Sequence, residues 1–233
     1  MIQTSTLFKT VFVGTLLSTT VMSAVASTAP TPFTATYQFQ HNGKTRGTAT
    51  RTLTKIDAQQ WRYVFSAKAL GVASAQETSQ FKWANDHIQS VKFNRTSKIL
   101  AFNNSLDIQF NGNQINTKKD DESRQFANVK GALDELNAEL QIRQDIRNGQ
   151  LKSSYLITDA KEVEERKFIR QGNETVKTQY GTFDTVKVVM KHDKPGRDTT
   201  FWLAPKLDYL PVKVTHQDKK GAYGLLLTNY KPA

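Results

Sequence analysis

The sequence predicts a mainly β protein: a curved antiparallel sheet, or half-open barrel-like meander, of about a dozen strands with one main α-helix (131–149) packed on it. Three observations carry this prediction. Apolar and polar residues alternate through most of the chain, Asn-Gly and Gly-Asn pairs recur between the alternating runs, and a single stretch departs to helical spacing. Alternation implies a sheet with one buried and one wetter face.

Pro30 and Pro32 mark a lead-in. Residues 34–40 alternate, with Tyr37 and Phe39 on one face, and His41-Asn42-Gly43-Lys44 predicts a hairpin because Asn-Gly tolerates positive φ. The Thr-rich return strand, 47–56, has one wet face. Strand 61–69 sets Trp61, Tyr63, Phe65 and Ala67 at one parity, and a Gly-Ala-Ser segment, 71–75, precedes strand 77–83. Asn85-Asp86 turns the chain into 87–95, a short strand is expected within 94–102, and 106–110 turns through Asn111-Gly112-Asn113 into 114–117. The polar run KKDDES, 118–123, reads as a solvated loop leading to the helix. Beyond 149, strands are expected at 153–158 and 163–170, with Gln171-Gly172-Asn173 a hairpin into 174–179. Strands at 182–191, 199–203, 209–216 and 223–230 complete the series, with Asp193-Lys194-Pro195-Gly196 a turn.

The stretch 131–149 is rich in Ala, Leu, Glu, Gln and Arg, the residues that lose least on entering a helix. Asn128 is a candidate N-cap, and Asn148-Gly149 supplies a left-handed stop. Leu133, Leu136 and Leu140 form one apolar lobe, Ile142 and Ile146 another, and Glu135, Glu139, Arg143 and Arg147 run between them. Asn137, Gln141, Gln144, Asp145 and Asn148 fall on the expected solvent side. Either both lobes pack on strands and the charged seam is an exposed i,i+4 ladder, or the lobes straddle a groove and Arg143 points in towards an anionic group. The first arrangement is the expected one.

Lys9 precedes an apolar run, 11–22, and Ala24-Val25-Ala26 supplies a small-residue cleavage pattern, so residues 1–26 are expected to be a cleaved export signal. Residues 27–233 then form a single β-rich domain, periplasmic and not lipid-anchored, since the chain has no Cys. No transmembrane helix is expected in the mature chain, and the polar outward positions argue against a lipid-facing barrel. With 32 Lys and Arg against 21 Asp and Glu, the formal net charge is +11. For an exported chain this excess suggests anionic lipid headgroups or cell-wall polymers rather than nucleic acid, for which no motif is present.

The histidines at 41, 87, 192 and 216 lack metal-ligand spacing, although His192 and His216 would meet if their strands paired. No nucleophile elbow, phosphate loop or dinucleotide fingerprint occurs, so neither catalysis nor a cofactor is expected. The inward parity is rich in aromatics, which either fill a core or in part line a cleft for an acyl chain covered by the helix.

The run Tyr180-Gly181-Thr182-Phe183-Asp184-Thr185-Val186-Lys187, then Arg197 and Phe201-Trp202-Leu203-Ala204-Pro205-Lys206-Leu207-Asp208-Tyr209-Leu210-Pro211-Val212-Lys213-Val214, resembles the exported bacterial family called domain of unknown function 3108. Leu140-Gln141-Ile142-Arg143, followed by Gly149, is similar to that family's middle segment. The likeness covers the C-terminal half and implies no activity. Physically, Ala204-Pro205 ends a strand and Pro211 cannot donate to a ladder, so this run is expected to be a corner beside an edge or bulge.

The functional expectation is a non-catalytic carrier for a lipid-like or amphipathic anionic ligand, with Arg143, Leu136, Leu140, Trp202 and Tyr209 as candidate contacts. The alternative is a structural envelope protein docking on cell wall or a protein partner through its basic surface.

Overall fold

A computed structural model describes residues 29–69, 71, 73–84, 86–192, 196–218 and 221–233. The export signal expected at 1–26 and most of the 193–196 turn lie outside these residues.

The first described strand lies in the middle of the sheet. β1 (Phe33–His41), β2 (Lys44–Lys55), β3 (Gln60–Ala69) and β4 (Ala73–Ala84) are successive antiparallel neighbours. β5 (His87–Ile99), β6 (Phe102–Asn111), β7 (Gln114–Lys119) and β8 (Glu122–Ala127) carry the meander to one edge. The helix α1 (Glu135–Arg147) crosses to the opposite edge, β9 (Ser154–Thr158). From there β10 (Val163–Lys177), β11 (Thr182–Lys191), β12 (Asp198–Ala204), β13 (Leu210–Asp218) and β14 (Gly221–Pro232) return to the centre, where β14 pairs with β1. The result is one open 14-stranded antiparallel sheet curled around the helix.

The two edges are not hydrogen-bonded to each other as strands. Instead, the residues entering the helix blunt the β9 edge: Leu133 donates to the Leu156 carbonyl at 3.0 Å and accepts from Thr158 N–H at 2.8 Å. Thr117 Oγ1 of β7 donates to the Ala160 carbonyl at 2.8 Å, tying the first arm to the turn after β9.

Several boundaries differ from the sequence expectation, each for a local reason. KKDDES is not a loop but the β7–β8 hairpin, turned by Asp120 at φ +53. Asp tolerates the left-handed region, and the charged residues occupy an edge strand where both faces are wet. Gln171-Gly172-Asn173 is not a hairpin; it is a bulge within the single long strand β10, with Gly172 at φ +87. The separate short strand expected within 94–102 is instead the end of β5, which continues to Ile99, and Leu100-Ala101 turns the chain into β6. The helix starts later than 131. Its N-cap is Asp134, not Asn128, and the Asp134 carboxylate accepts from Asn137 N–H.

The larger correction concerns the helix faces. Every residue from Leu136 to Ile146 is buried, including Asn137, Gln141, Gln144 and Asp145, which were assigned to solvent, and Glu139 and Arg143 of the charged seam. An amphipathic pattern assumes water on one side; here the sheet curls around all of them. Leu133, Leu136, Leu140, Ile142 and Ile146 join the inward residues of the strands, including Phe33, Leu53, Tyr63, Phe93, Ile108 and Leu210, in one core.

Gly47 on β2 fixes how closely β2 and β3 approach, because a Cβ there would lie 1.8 Å from the Lys68 carbonyl oxygen. Gly47→Ala is expected to lower stability by about 3 kcal/mol, the upper end of overpacking costs, measured by urea unfolding with an unchanged m-value.

Candidate functional site

Enclosing a helix with six buried polar side chains commits the strand interiors to partners for them, since a buried charge or polar group without a hydrogen bond is costly. Arg51 of β2 pairs with the Glu139 carboxylate, whose other oxygen accepts from Tyr63 Oη of β3 at 2.8 Å. The Arg51 guanidinium lies over the rings of Tyr37 and Phe65, 5.7 and 5.5 Å from their centroids. Burial opposes charge on Arg51, but Glu139 more than offsets it and holds the guanidinium protonated. Asp134 accepts from Ser79 Oγ at 2.7 Å and Ser90 Oγ at 3.0 Å. Gln141 accepts from Ile88 N–H at 2.9 Å and donates to Asp145, which also accepts from Tyr155 Oη at 2.7 Å.

Glu135 joins the two arms of the sheet across the concavity: Arg95 of β5 approaches it at 3.2 Å and Arg166 of β10 at 3.3 Å. Glu77 of β4 belongs to the same charged layer. Burial, then repulsion from Glu135, push its carboxyl up to about 7. Burial likewise pushes Asp134 up to about 6, against the hydrogen bonds from Asn137, Ser79 and Ser90.

Beyond this layer, towards the far ends of β1, β3 and β5, the inward residues become small. In register across β2–β5 they run Ala49, Ala67, Ala75 and Ser97, then Gly47, Ala69, Ala73 and Ile99. With nothing from α1 lining this half, an open-mouthed cavity of about 740 Å³ remains. Phe39, Phe65, Tyr223 and the alanines form its walls, and His41 and Arg46 stand among its lining. The Phe65 ring is both cavity wall and the platform beneath Arg51. On the other arm Thr199 Oγ1 bridges His192 Nε2 at 3.0 Å and His216 Nδ1 at 2.8 Å, so these two histidines do meet, through the strand between theirs. Burial and the nearby Arg166 lower the His192 pKa.

None of the five residues singled out from sequence lines the cavity. Leu136 and Leu140 are core residues. Arg143 points inward but meets no anion among the described residues: its Nε and Nη2 donate to the Asp208 carbonyl at 3.3 and 3.1 Å, and its guanidinium lies 5.0 Å from the Phe33 ring centroid. Trp202 faces the opposite side of β12 from Phe201, between the ammonium groups of Lys187 at 5.3 Å and Lys213 at 4.2 Å. Tyr209 follows the Pro205–Leu207 turn, where Asp208 and Tyr209 both adopt positive φ. The missed signal was small residues at a parity that elsewhere carries aromatics.

The Arg143 contact explains why the two most characteristic stretches of sequence belong together. Arg147 Nη1 also reaches the Asp208 carboxylate, at 2.7 Å, so the helix end docks on the corner built by Ala204 to Leu210. Pro211 coincides with a register shift between β12 and β13, the expected bulge. A family model described as "Protein of unknown function (DUF3108)" matches residues 32–228. The chain belongs to the DUF3108 family. The DUF3108 match thus spans both arms of the sheet as well as the C-terminal half. No curated protein matches the chain. Among solved structures, a β-barrel-like DUF1849 protein from Brucella abortus shares the fold, with TM-score 0.57 and 10% identity over 87% of this chain and 98% of that one. A putative lipoprotein from Parabacteroides distasonis aligns with TM-score 0.35 and 9% identity over 87% of this chain and 96% of that one.

Two predictions follow from the charged layer. Glu139→Gln alone is expected to cost about 3–5 kcal/mol by leaving Arg51 buried without its counter-ion, and the Arg51→Met, Glu139→Gln pair to cost less than the summed single changes; chemical denaturation of the three variants measures this. Glu77 and Asp134 bind protons more tightly folded than unfolded, so the stability they withhold at high pH returns as pH falls through about 7 and 6 and is complete below their unfolded values. His192 acts oppositely, but below its unfolded value of 6.5. The urea midpoint is therefore expected to rise from about pH 8 to about pH 6, and the rise to shrink in Glu77→Gln.

Proposed function

We infer that this protein is a non-catalytic carrier or binding module of the cell envelope, periplasmic in location, that holds the apolar part of an amphipathic anionic molecule in the cavity at the open end of its sheet. The observation that carries this reading is the cavity itself. Its volume of about 740 Å³ falls within the range of small-molecule sites. Its walls are phenylalanine, tyrosine and alanine side chains that leave space where the opposite half of the concavity is filled by α1.

The polarity of the surroundings orients the ligand. Arg46 is exposed beside the cavity and offers a fork of donors to a carboxylate, sulfate or phosphate in water. Phe39, Phe65 and Ala67 line the apolar walls for a hydrocarbon tail. The buried polar groups of the Arg51–Glu139–Tyr63 cluster are bonded to one another, which supports a role in shaping the space rather than in chemistry.

The test is a fluorescent acyl probe, dansylundecanoic acid, titrated into delipidated protein. A saturable rise in emission is expected, lost in Ala67→Trp, which fills the cavity, and retained in Arg143→Ala, whose side chain serves the helix corner. No saturable binding, or equal binding by Ala67→Trp at unchanged secondary structure, overturns the reading. Native mass spectrometry of protein taken from the envelope then identifies the bound class.

A further inference from the structure

Antiparallel alternation places the C-terminal ends of β1, β3, β5 and β13 at one end of the sheet, the end where the cavity opens. The β5–β6 turn at this rim carries three large apolar side chains in water: Ile99, Leu100 and Phe102 are 56%, 65% and 75% exposed. Most exposed apolar residues on a soluble surface are isolated and need no explanation. These three occupy four consecutive positions, and their placement is built. Ile99 and Phe102 face each other across the hairpin, and Leu100 adopts φ +54, a conformation disfavoured for a branched side chain without local hydrogen-bonding capacity.

The surroundings of this tip are basic. Register puts Lys68 and Lys98 on either side of Ser74, both exposed, one residue from the apolar row Ala69, Ala73 and Ile99. Lys68, Lys98 and Leu100 also line one shallow depression together with Ala69 and Ala73. Of the acids in the neighbouring β7–β8 turn, Asp120 is committed to the backbone, accepting from Ser105 N–H at 2.7 Å, Glu122 is paired with Arg124, and Asp121 is exposed between them. A protruding apolar tip with lysines one row behind it matches the layering of an anionic bilayer. Hydrocarbon accepts the tip, phosphates meet the ammonium groups, and the long lysine stems span the depth between them.

We propose that the β5–β6 hairpin tip, Ile99-Leu100-Ala101-Phe102 flanked by Lys68 and Lys98, docks this protein on anionic phospholipid bilayers. Docking there sets the mouth of the cavity against the membrane surface, because Ile99 belongs to both the tip and the cavity lining. A ligand then passes between bilayer and cavity without its hydrocarbon crossing water. The docking surface stands on its own exposure and charge; only this route of transfer rests on the function proposed above.

The experiment is vesicle flotation of the purified full chain, with phosphatidylethanolamine–phosphatidylglycerol vesicles against pure phosphatidylcholine vesicles. Flotation with the anionic vesicles is expected, falling about tenfold or more on phosphatidylcholine and at raised salt. The double change Leu100→Ser, Phe102→Ser is expected to reduce it by about tenfold or more, as loss of two exposed apolar anchors requires. Lys68→Glu with Lys98→Glu is expected to do the same. All substituted side chains are exposed, so circular dichroism and melting temperature report that the variants fold. In Phe102→Trp, emission is expected to shift to the blue on adding anionic vesicles. Absence of flotation by the parent protein, flotation undiminished in the Ser pair, or equal flotation on phosphatidylcholine each overturns the proposal. Dansylundecanoic acid binding without flotation overturns docking alone, and flotation without probe binding overturns the cavity reading alone.

Discussion

Everything in this molecule depends on burying a polar helix. α1 carries Asn137, Glu139, Gln141, Arg143, Gln144 and Asp145 into an interior that water does not reach. A helix of that composition gains little from burial by hydrophobicity alone, so its enclosure is tolerated only where the strands supply counter-charges and hydrogen-bonding groups at matching heights. Arg51, Tyr63, Ser79, Ser90 and Tyr155 do this, each pointing inward at a position that the strand alternation would otherwise give to an apolar residue. A one-residue slip of β2 against its neighbours would move Arg51 to the outer face and leave Glu139 unpaired. The polar interior therefore specifies register as much as it contributes stability.

The same arrangement divides the concave face into layers. One half is filled by the helix and the apolar core; the charged layer of Arg51, Glu77, Arg95, Glu135 and Arg166 follows; and the small residues beyond it leave the cavity. Glu135 spans from β5 to β10, so the layer also sets the distance between two arms that are not joined as neighbouring strands. At the opposite end, the Asp208 corner receives Arg143 and Arg147 and fixes the helix's other terminus. The helix is thus held at both ends by polar contacts and along its length by packing. The cavity lies in the half of the sheet that the helix does not line.

Much of the sheet was legible in the sequence because alternation and turn chemistry are local. Asn42-Gly43 and Gly112 mark hairpins by the backbone angles they permit, and Pro211 announced a bulge by the hydrogen bond it cannot donate. Gln171-Gly172 misled because a bulge and a hairpin both use glycine at positive φ; the choice between them is made by whether the partner strand continues alongside, as β11 does. The site was less legible. Arg143, expected on an exposed ladder, points inward instead, and its partner is a backbone carbonyl 65 positions away rather than the anionic group of the alternative arrangement. The cavity came from alanines, which attract no notice until their cross-strand neighbours prove equally small.

By itself, then, the sequence determined the class of fold, the single helix, most of the turns and the family, since these rest on residue-level preferences and short motifs. Only the tertiary structure decided which face of the helix meets water, and the answer was almost none. Helical periodicity reports which residues share a face, but a sheet of 14 strands curls far enough to cover every face at once. The location of the cavity was decided in the same way, by the registers that align Ala49, Ala67, Ala75 and Ser97 on four neighbouring strands.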